Sequence, residues 1–510
     1  MPSFHLHELS YAHTAAATIL DDVSVDLTAD NQAHATPWIG VVGANGAGKT
    51  TLLRLLAGEL QPTAGTVSVQ ADLAPVLVPQ EVGEMSADVQ TFAWTWDGLA
   101  QRLRSRFELD PDDLDETTGY GWPALSPGQR KRWQLATVLA NEPDVLLLDE
   151  PTNHLDSAAR ELMLDVLAEF DGLGLVVSHD RVALERLTSR TLRLNRQQLE
   201  LHAGSYTEAA PRWREQEAAE RSAHDRAKRE VRRERRVLGE VRRDRHSAEA
   251  GARRTRRLGG AADPDSREAG RKFAQRKAEA ALAQRVRQMN TRVDRAERAA
   301  DSFDLRRELG GDVGFRHADT GRRILAEVKR DVCHSGGDVW LVQVEVALHR
   351  GQRVHLAGAN GAGKTTLLNA VLGELERHDE VVATLPQELD DPGAEVAQLL
   401  QLDAAARGRV LGVVATLGVD PERVLVTKSP SPGEARKLAL ATLLAGEASV
   451  LVLDEPTNHL DLPSIERLEH ALASWTGALL LITHDDALAA ASTTTRWTVE
   501  DHHVTTDWRG

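Results

Sequence analysis

Gly-Ala-Asn-Gly-Ala-Gly-Lys-Thr-Thr-Leu-Leu stands at residues 43–53 of this 510-residue sequence and recurs, letter for letter, at residues 358–368. The first copy follows a short apolar run, Trp38-Ile39-Gly40-Val41-Val42, and leads into a helical pattern over Thr51–Leu60. Strand, glycine-rich turn and helix in that order predict a phosphate-binding loop. The glycines let backbone N–H groups wrap phosphate oxygens at the helix N-terminus. Lys49 and Lys364 place a point charge on the outer phosphates, and Thr50 and Thr365 offer a hydroxyl to Mg²⁺. Gly43, Asn45, Gly46, Gly48 and Thr51, with Gly358, Asn360, Gly361, Gly363 and Thr366, complete the two candidate nucleotide loops.

About a hundred residues beyond the first loop, Val145-Leu146-Leu147-Leu148-Asp149-Glu150 reads as an apolar strand ending in two carboxylates. A phosphate site needs this opposite its loop: Asp149 to hold the Mg²⁺ shell and Glu150 to polarise the attacking water. His179, at the end of the strand-like Leu175-Val176-Val177-Ser178, is a candidate sensor of the γ-phosphate. The run Leu-Asp-Glu-Pro-Thr-Asn-His-Leu-Asp at 148–156 repeats at 453–461, so Asp454, Glu455 and His484 take the same roles. Asp454 and His484 each lie 305 residues after their counterparts, whereas Lys364 lies 315 after Lys49, so the second unit is ten residues shorter between loop and carboxylates. The chain carries an internal duplication.

The segment between the two units differs in kind. Residues 206–300 hold 27 Lys+Arg, 24 of them arginine, against 16 Asp+Glu, which leaves 34 against 61 in the rest of the chain. A basic element between acidic lobes suggests a polyanionic partner, and the planar arginine fork suits phosphate. Leu282, Val286, Met289, Val293, Ala296 and Ala300 keep one helix face apolar; Val231, Leu238 and Val241 do so more sparsely upstream. Leu258 to Ser266, with two glycines and a proline, has turn chemistry. The expectation is a hairpin of two antiparallel helices, each about 40 residues or roughly 60 Å long, with Arg253, Arg254, Arg256 and Arg257 near its tip as RNA-binding candidates.

Totals of 61 Lys+Arg and 77 Asp+Glu, with 41% hydrophobic residues, suit a soluble chain of two or three domains. No apolar run approaches the roughly 20 residues that cross a bilayer, and Met1 to Ser10 lacks the basic start and apolar core of a signal peptide. The single cysteine, Cys333, excludes an internal disulfide and fits a reducing cytoplasm. The expected boundaries are 1–205 and 303–510 for the nucleotide-binding domains and 206–302 for the linker.

These motifs resemble the ABC-F subfamily of ATP-binding cassette proteins: two cassettes on one chain, no membrane domain, one linker. The run Glu150-Pro151-Thr152-Asn153-His154-Leu155-Asp156, repeated at Glu455–Asp461, is the most specific element. The resemblance implies an α/β fold of two tandem P-loop ABC ATPase domains joined by a long antiparallel helical hairpin, with ATP and Mg²⁺ as cofactors. It makes Gln80 and Gln387 the residues linking the metal site to the helical subdomain. It makes Ser126, Gly128 and Gln129 the signature that caps the opposite cassette's ATP, and Tyr11 the residue stacking on adenine. The second signature, Ser431, Gly433 and Glu434, departs from the family at Pro430, where leucine is usual, and a shifted helix start is expected. No tyrosine or phenylalanine stands at the second adenine position; Cys333, His334 and Trp340 are nearby, and unequal sites are expected. The resemblance further implies a monomer whose two cassettes close on each other. Their closure would set the presentation of a hairpin that enters the ribosomal exit-tRNA site, in antibiotic protection or in translation. An ATP-binding subunit of a drug exporter and a DNA-associated ATPase are the competing readings; the basic hairpin and the short Gln80–Ser126 spacing weigh against the exporter.

Overall fold

The computed structural model describes residues 2–13, 18–29, 36–70, 73–115, 121–153, 155–258, 267–301, 316–318, 320–333, 339–389, 391–427 and 430–508. His154, His334 and residues 259–266 of the expected turn lie outside them.

The apolar runs that carry the repeats form central strands because they are buried on both faces, as parallel strands covered by helices must be. In the first cassette a six-stranded sheet runs Val76–Val78, Val145–Asp149, Leu173–Val177, Trp38–Gly43, Thr188–Asn195, Gln198–Ala203. All neighbours are parallel except the last pair. The second cassette repeats this order with Val382–Leu385, Val450–Asp454, Ala478–Ile482, Arg353–Gly358, Thr495–Glu500 and His503–Trp508. The phosphate loop leaves the C-terminal end of the middle strand, and the carboxylates leave the end of a strand two places away. A single strand separates them, so loop and carboxylates meet at one edge of the sheet. A second, antiparallel layer flanks each sheet, built by Ser3–Ala12 with Thr18–Thr28 and by Ile324–Cys333 with Val339–His349.

The loop helix spans Lys49–Leu56, shorter than the expected Thr51–Leu60, because Gly58 turns the chain at φ 76°. The signature helices span Pro127–Leu139 and Pro432–Ala445, each with its serine as N-cap and proline in the first turn. Both carry a reciprocal cap: Ser126 with Gln129 and Ser431 with Glu434. The expected shift at Pro430 is therefore corrected: the proline precedes the cap, where no helical N–H is needed, and both helices start at the same signature position.

Both cassettes, residues 1–209 and 308–510, form one compact unit, and Ala210–Arg307 forms another. The second unit consists of most of the helix Tyr206–Leu258 and of the helix Arg267–Asp301. They are 53 and 35 residues long rather than equal. They run antiparallel, since Arg235 bonds Glu297 and Arg242 bonds Asn290. Leu238, Val241, Val286, Met289 and Val293 form their buried seam; Val231, Leu282 and Ala296 are half-buried. Arg253, Arg254, Arg256 and Arg257 lie in the last turns of the longer helix.

Candidate active sites

The loop geometry follows from its glycines. Gly48 and Gly363 cap the loop helices at φ 109°, where a Cβ would lie 2.1 Å from Ile19 and 2.6 Å from Trp340 respectively. Only glycine serves there. The Lys49 ammonium folds back onto the carbonyls of Gly43 (2.9 Å) and Ala44 (3.3 Å), and Lys364 onto Gly358 (2.8 Å) and Ala359 (3.1 Å). Both cations ring the cradle that phosphate oxygens would fill. Thr50 donates to Asp149 at 2.7 Å, which pins the hydroxyl and carboxylate of the expected magnesium shell side by side. Among the described residues no group of three or more His, Cys, Asp and Glu is placed to hold a metal. A threonine, one aspartate and phosphate oxygens instead suit Mg²⁺, which prefers few protein ligands.

Glu150 and Glu455 adopt left-handed backbone at φ 47° and 46°, and their carboxylates act on the loop lysines Lys49 and Lys364. Each accepts from the following histidine's backbone N–H, at 3.2 Å from His179 and 3.3 Å from His484, through Oε2. The buried Oε1 of each has no hydrogen bond, only the histidine Nε2 at 3.4 Å. Such an orphan oxygen fits a water awaiting attack. Burial raises the Glu150 carboxyl to about 8 against the pull of Lys49, and Glu455 to about 7. Burial also lowers His179 to about 3 and His484 to about 4. Although within ion-pair distance, neither His–Glu contact is an ion pair at pH 7, since the buried imidazole stays uncharged.

Two further cations, which motif reasoning missed, stand one in each signature helix, five residues after its serine. Lys131 bonds the carbonyls of Pro79 and Gln80, and burial lowers it to about 8 near Asp149 and Glu150. Arg436 bonds the carbonyls of Pro386, Gln387, Asp454 and Glu455. Gln80 and Gln387 are thus held by their backbones, with exposed side chains. Two basic residues five positions after the signature serines were the available signal.

The cassettes meet at the loops. Asn45 N–H donates to Asp461 at 2.8 Å and its amide to the His459 carbonyl at 2.6 Å. A Cβ on the signature glycine Gly433 would lie 3.0 Å from the Asn45 amide, so the second signature faces the first loop. Asp461 is also held by Lys437 at 3.1 Å. Burial works to raise its carboxyl, but Lys437, Ser464 and the Asn45 amide together keep it well below the usual range. In the other half Asn360 N–H donates to Asp156 at a looser 3.3 Å.

The surroundings of the expected adenine positions differ. Tyr11 pairs with Leu20 across its strand pair, and the matching pair in the second cassette is Val332 with Leu341. Cys333 is exposed. Trp340 occupies the place of Ile19: it packs on Gly363 and donates to the Ala362 carbonyl at 3.3 Å.

A family model described as ABC transporter matches residues 28–153 and 341–458. The chain is 32% identical to the ATP-binding protein Uup of Caulobacter vibrioides over 89% of this chain and 71% of that protein. It is 29% identical to the ribosome protection protein VmlR of Bacillus subtilis (91% and 82%). It is 31% identical to the tylosin resistance ATP-binding protein TlrC of Streptomyces fradiae (92% and 92%). The solved RNase-L inhibitor shares the fold at 17% identity, with a TM-score of 0.57 over 96% of this chain and 87% of that one. Two complete cassettes with paired loops, carboxylates and signatures, matched along nearly the whole chain, make this protein a member of the ABC-F family of ATP-binding cassette ATPases.

Proposed function

We propose that this ATPase acts on the ribosome, binding at the exit-tRNA site through its basic linker and protecting translation from an antibiotic. The observation that carries this reading is the extent of the similarity to the ribosome protection protein: it covers 91% of the chain. Residues 206–302 make up about a fifth of the 510 residues, so the similarity must run into the linker as well as the cassettes. The linker's excess of arginine supplies charge for a phosphate backbone. Among the described residues no helix is long and apolar enough to cross a membrane, and a ribosomal site of action places the protein in the cytoplasm. The division at 205/206 and 302/303 separates the two ATP-handling halves from this RNA-directed arm.

Two composite ATP sites drive the cycle. Gly43–Thr51 and Gly358–Thr366 hold the phosphates, and the opposite signature serine and glycine close over them: Ser431 and Gly433 on the first, Ser126 and Gly128 on the second. Thr50, Asp149 and Gln80 in the first site, and Thr365, Asp454 and Gln387 in the second, would hold Mg²⁺, which would supply charge neutralisation at the phosphates. Glu150 and Glu455, in their ionised form, polarise the attacking water and take its proton. His179 and His484 orient those carboxylates. Tyr11 in the first site and Trp340 in the second stack on the base.

The test is co-sedimentation of the Glu150→Gln/Glu455→Gln protein with 70S ribosomes. Pelleting only with ATP is expected; a protein that stays in the supernatant with and without ATP overturns the reading. Neutralising Arg253, Arg254, Arg256 and Arg257 should then reduce the salt slope of binding by up to about four. An unchanged slope moves the RNA contacts elsewhere.

A further inference from the structure

Beside the ATP sites, the faces on which the cassettes meet carry opposite charge. The first cassette contributes Arg160 and Arg181. Arg160, almost wholly buried, donates to the His484 carbonyl at 2.8 Å and to Asp486 at 3.1 Å. Arg181 donates to Glu469 at 2.7 Å, with both side chains 18% exposed, and the carboxylates of Asp485 and Glu466 also act on it. Every acid named here belongs to the second cassette.

The 305-residue offset shows what each face would meet in a copy of itself. Arg181 corresponds to Asp486, Arg160 to Ile465, and Glu469 to Leu164. Two first cassettes facing each other would set Arg160 against Arg181 twice. Two second cassettes would set Asp486 against Glu466 and Glu469 twice. Asp180 and Asp485 are equivalent helix caps present on both faces, so they do not discriminate. Glu161, the counterpart of Glu466, is turned to Arg186 of its own cassette at 2.6 Å. Like charges brought together in a desolvated contact are strongly unfavourable, and this is the usual device by which an interface rejects wrong partners.

We propose that this polarity is a pairing code: it specifies that a first cassette closes on a second cassette and excludes closure of like cassettes from two chains. Duplicated cassettes that share identical loops, identical carboxylate runs at 148–156 and 453–461 and the same signature serines would otherwise recognise their own kind as readily as each other. The side chains of the code are not among the groups proposed to handle ATP, although Arg160 holds the backbone carbonyl of His484. It rests on the reading that ATP closes the cassettes.

Arg160→Glu provides the test, because it reverses both preferences at once. The carboxylate it introduces repels Asp486 within the chain and complements Arg181 of a second copy. In the full-length Glu150→Gln/Glu455→Gln background, light scattering after gel filtration should give a monomer with ATP. Adding Arg160→Glu should give an ATP-dependent dimer, and adding Asp486→Arg as well should return the monomer by re-forming the pair in reverse. In chains with both glutamates intact, Arg160→Glu should raise the KM for ATP at least about tenfold in low salt, and Asp486→Arg should recover most of it. A circular-dichroism melt checks that each variant is folded. If folded Arg160→Glu stays monomeric with an unchanged KM, the pairing code is wrong. If the parent background shows no ATP-dependent compaction by small-angle scattering, the underlying reading of closure fails instead.

Discussion

Glu455 and Glu150 are buried carboxyls with weak claims on a cation, and their raised proton affinities have a consequence for stability. An acid whose folded value lies above its unfolded value keeps its proton in the folded state after the unfolded chain has lost it. Its contribution is intact below the ordinary glutamate value of about 4.3 and declines as pH rises toward the folded values of about 7 and 8. In nucleotide-free protein held in a chelator, the melting temperature should fall between pH 7 and 8, above the range in which the depressed His179 and His484 push stability the other way. Glu455→Gln, which cannot ionise, should fall less steeply; equal slopes for wild type and variant would remove the argument. Trp340 carries the second prediction at this scale. Base stacking on an aromatic face contributes about 1–3 kcal/mol. With the first site disabled by Lys49→Met, Trp340→Ala should weaken ATP binding about tenfold in a titration, and Trp340→Phe should restore most of it. Unaltered binding by the alanine variant would hand the base to another residue. That tryptophan was within the three candidates of the sequence, but favouring it required strand register: Val332 stands where Tyr11 does, and Trp340 lies on the neighbouring strand.

At the scale of elements, the linker helices are held by a narrow seam. Leu238, Val241, Val286, Met289 and Val293 are the residues of its core, and Glu234 is buried beside them on Arg292 at 2.8 Å. A two-helix seam this small gains little from each residue, so each matters. Met289→Ala should cost about 2 kcal/mol locally, seen as faster hydrogen exchange across residues 231–245 and 282–296, with ATP binding by the cassettes unchanged. Exchange that stays at the wild-type rate would mean the helices do not depend on each other. The seam itself was legible because four- and three-residue spacing of apolar side chains leaves no other helical face to bury. Glu234 was not, since a glutamate in a basic run looks like one more solvated charge until its arginine is located. The signature helices give the converse case. Pro430 suggested a disturbed start, but capping depends on Ser431 and Glu434, and those two residues fill the same cap positions as Ser126 and Gln129 in the other half of the molecule.

On the scale of the molecule, the duplication and the position of loop and carboxylates could be read from the repeats, because spacing along strands fixes which ends meet. The contacts between halves could not, because they join residues roughly 300 to 400 positions apart: Asn45 with Asp461, Arg160 with Asp486, Arg181 with Glu469. In the proposed cycle those contacts decide how the two ATP sites behave together. The first loop touches Asp461 and faces Gly433, so its completion depends on the second cassette; Asn360 touches Asp156, so the dependence is mutual. If the sites were independent, disabling one would leave half the turnover. In the arrangement described here, a loop that cannot hold phosphate also fails to draw the opposite signature helix into place. Moreover, Lys131 ties the first signature helix to the carbonyls of Pro79 and Gln80, beside Asp149 and Glu150 of its own site. Lys49→Met alone should therefore lower steady-state ATP hydrolysis to well under a tenth of wild type, although the second loop is untouched, and Lys364→Met should do the same. Residual activity near half in either variant, measured by phosphate release at saturating ATP, would show two cassettes that share a chain without sharing a cycle.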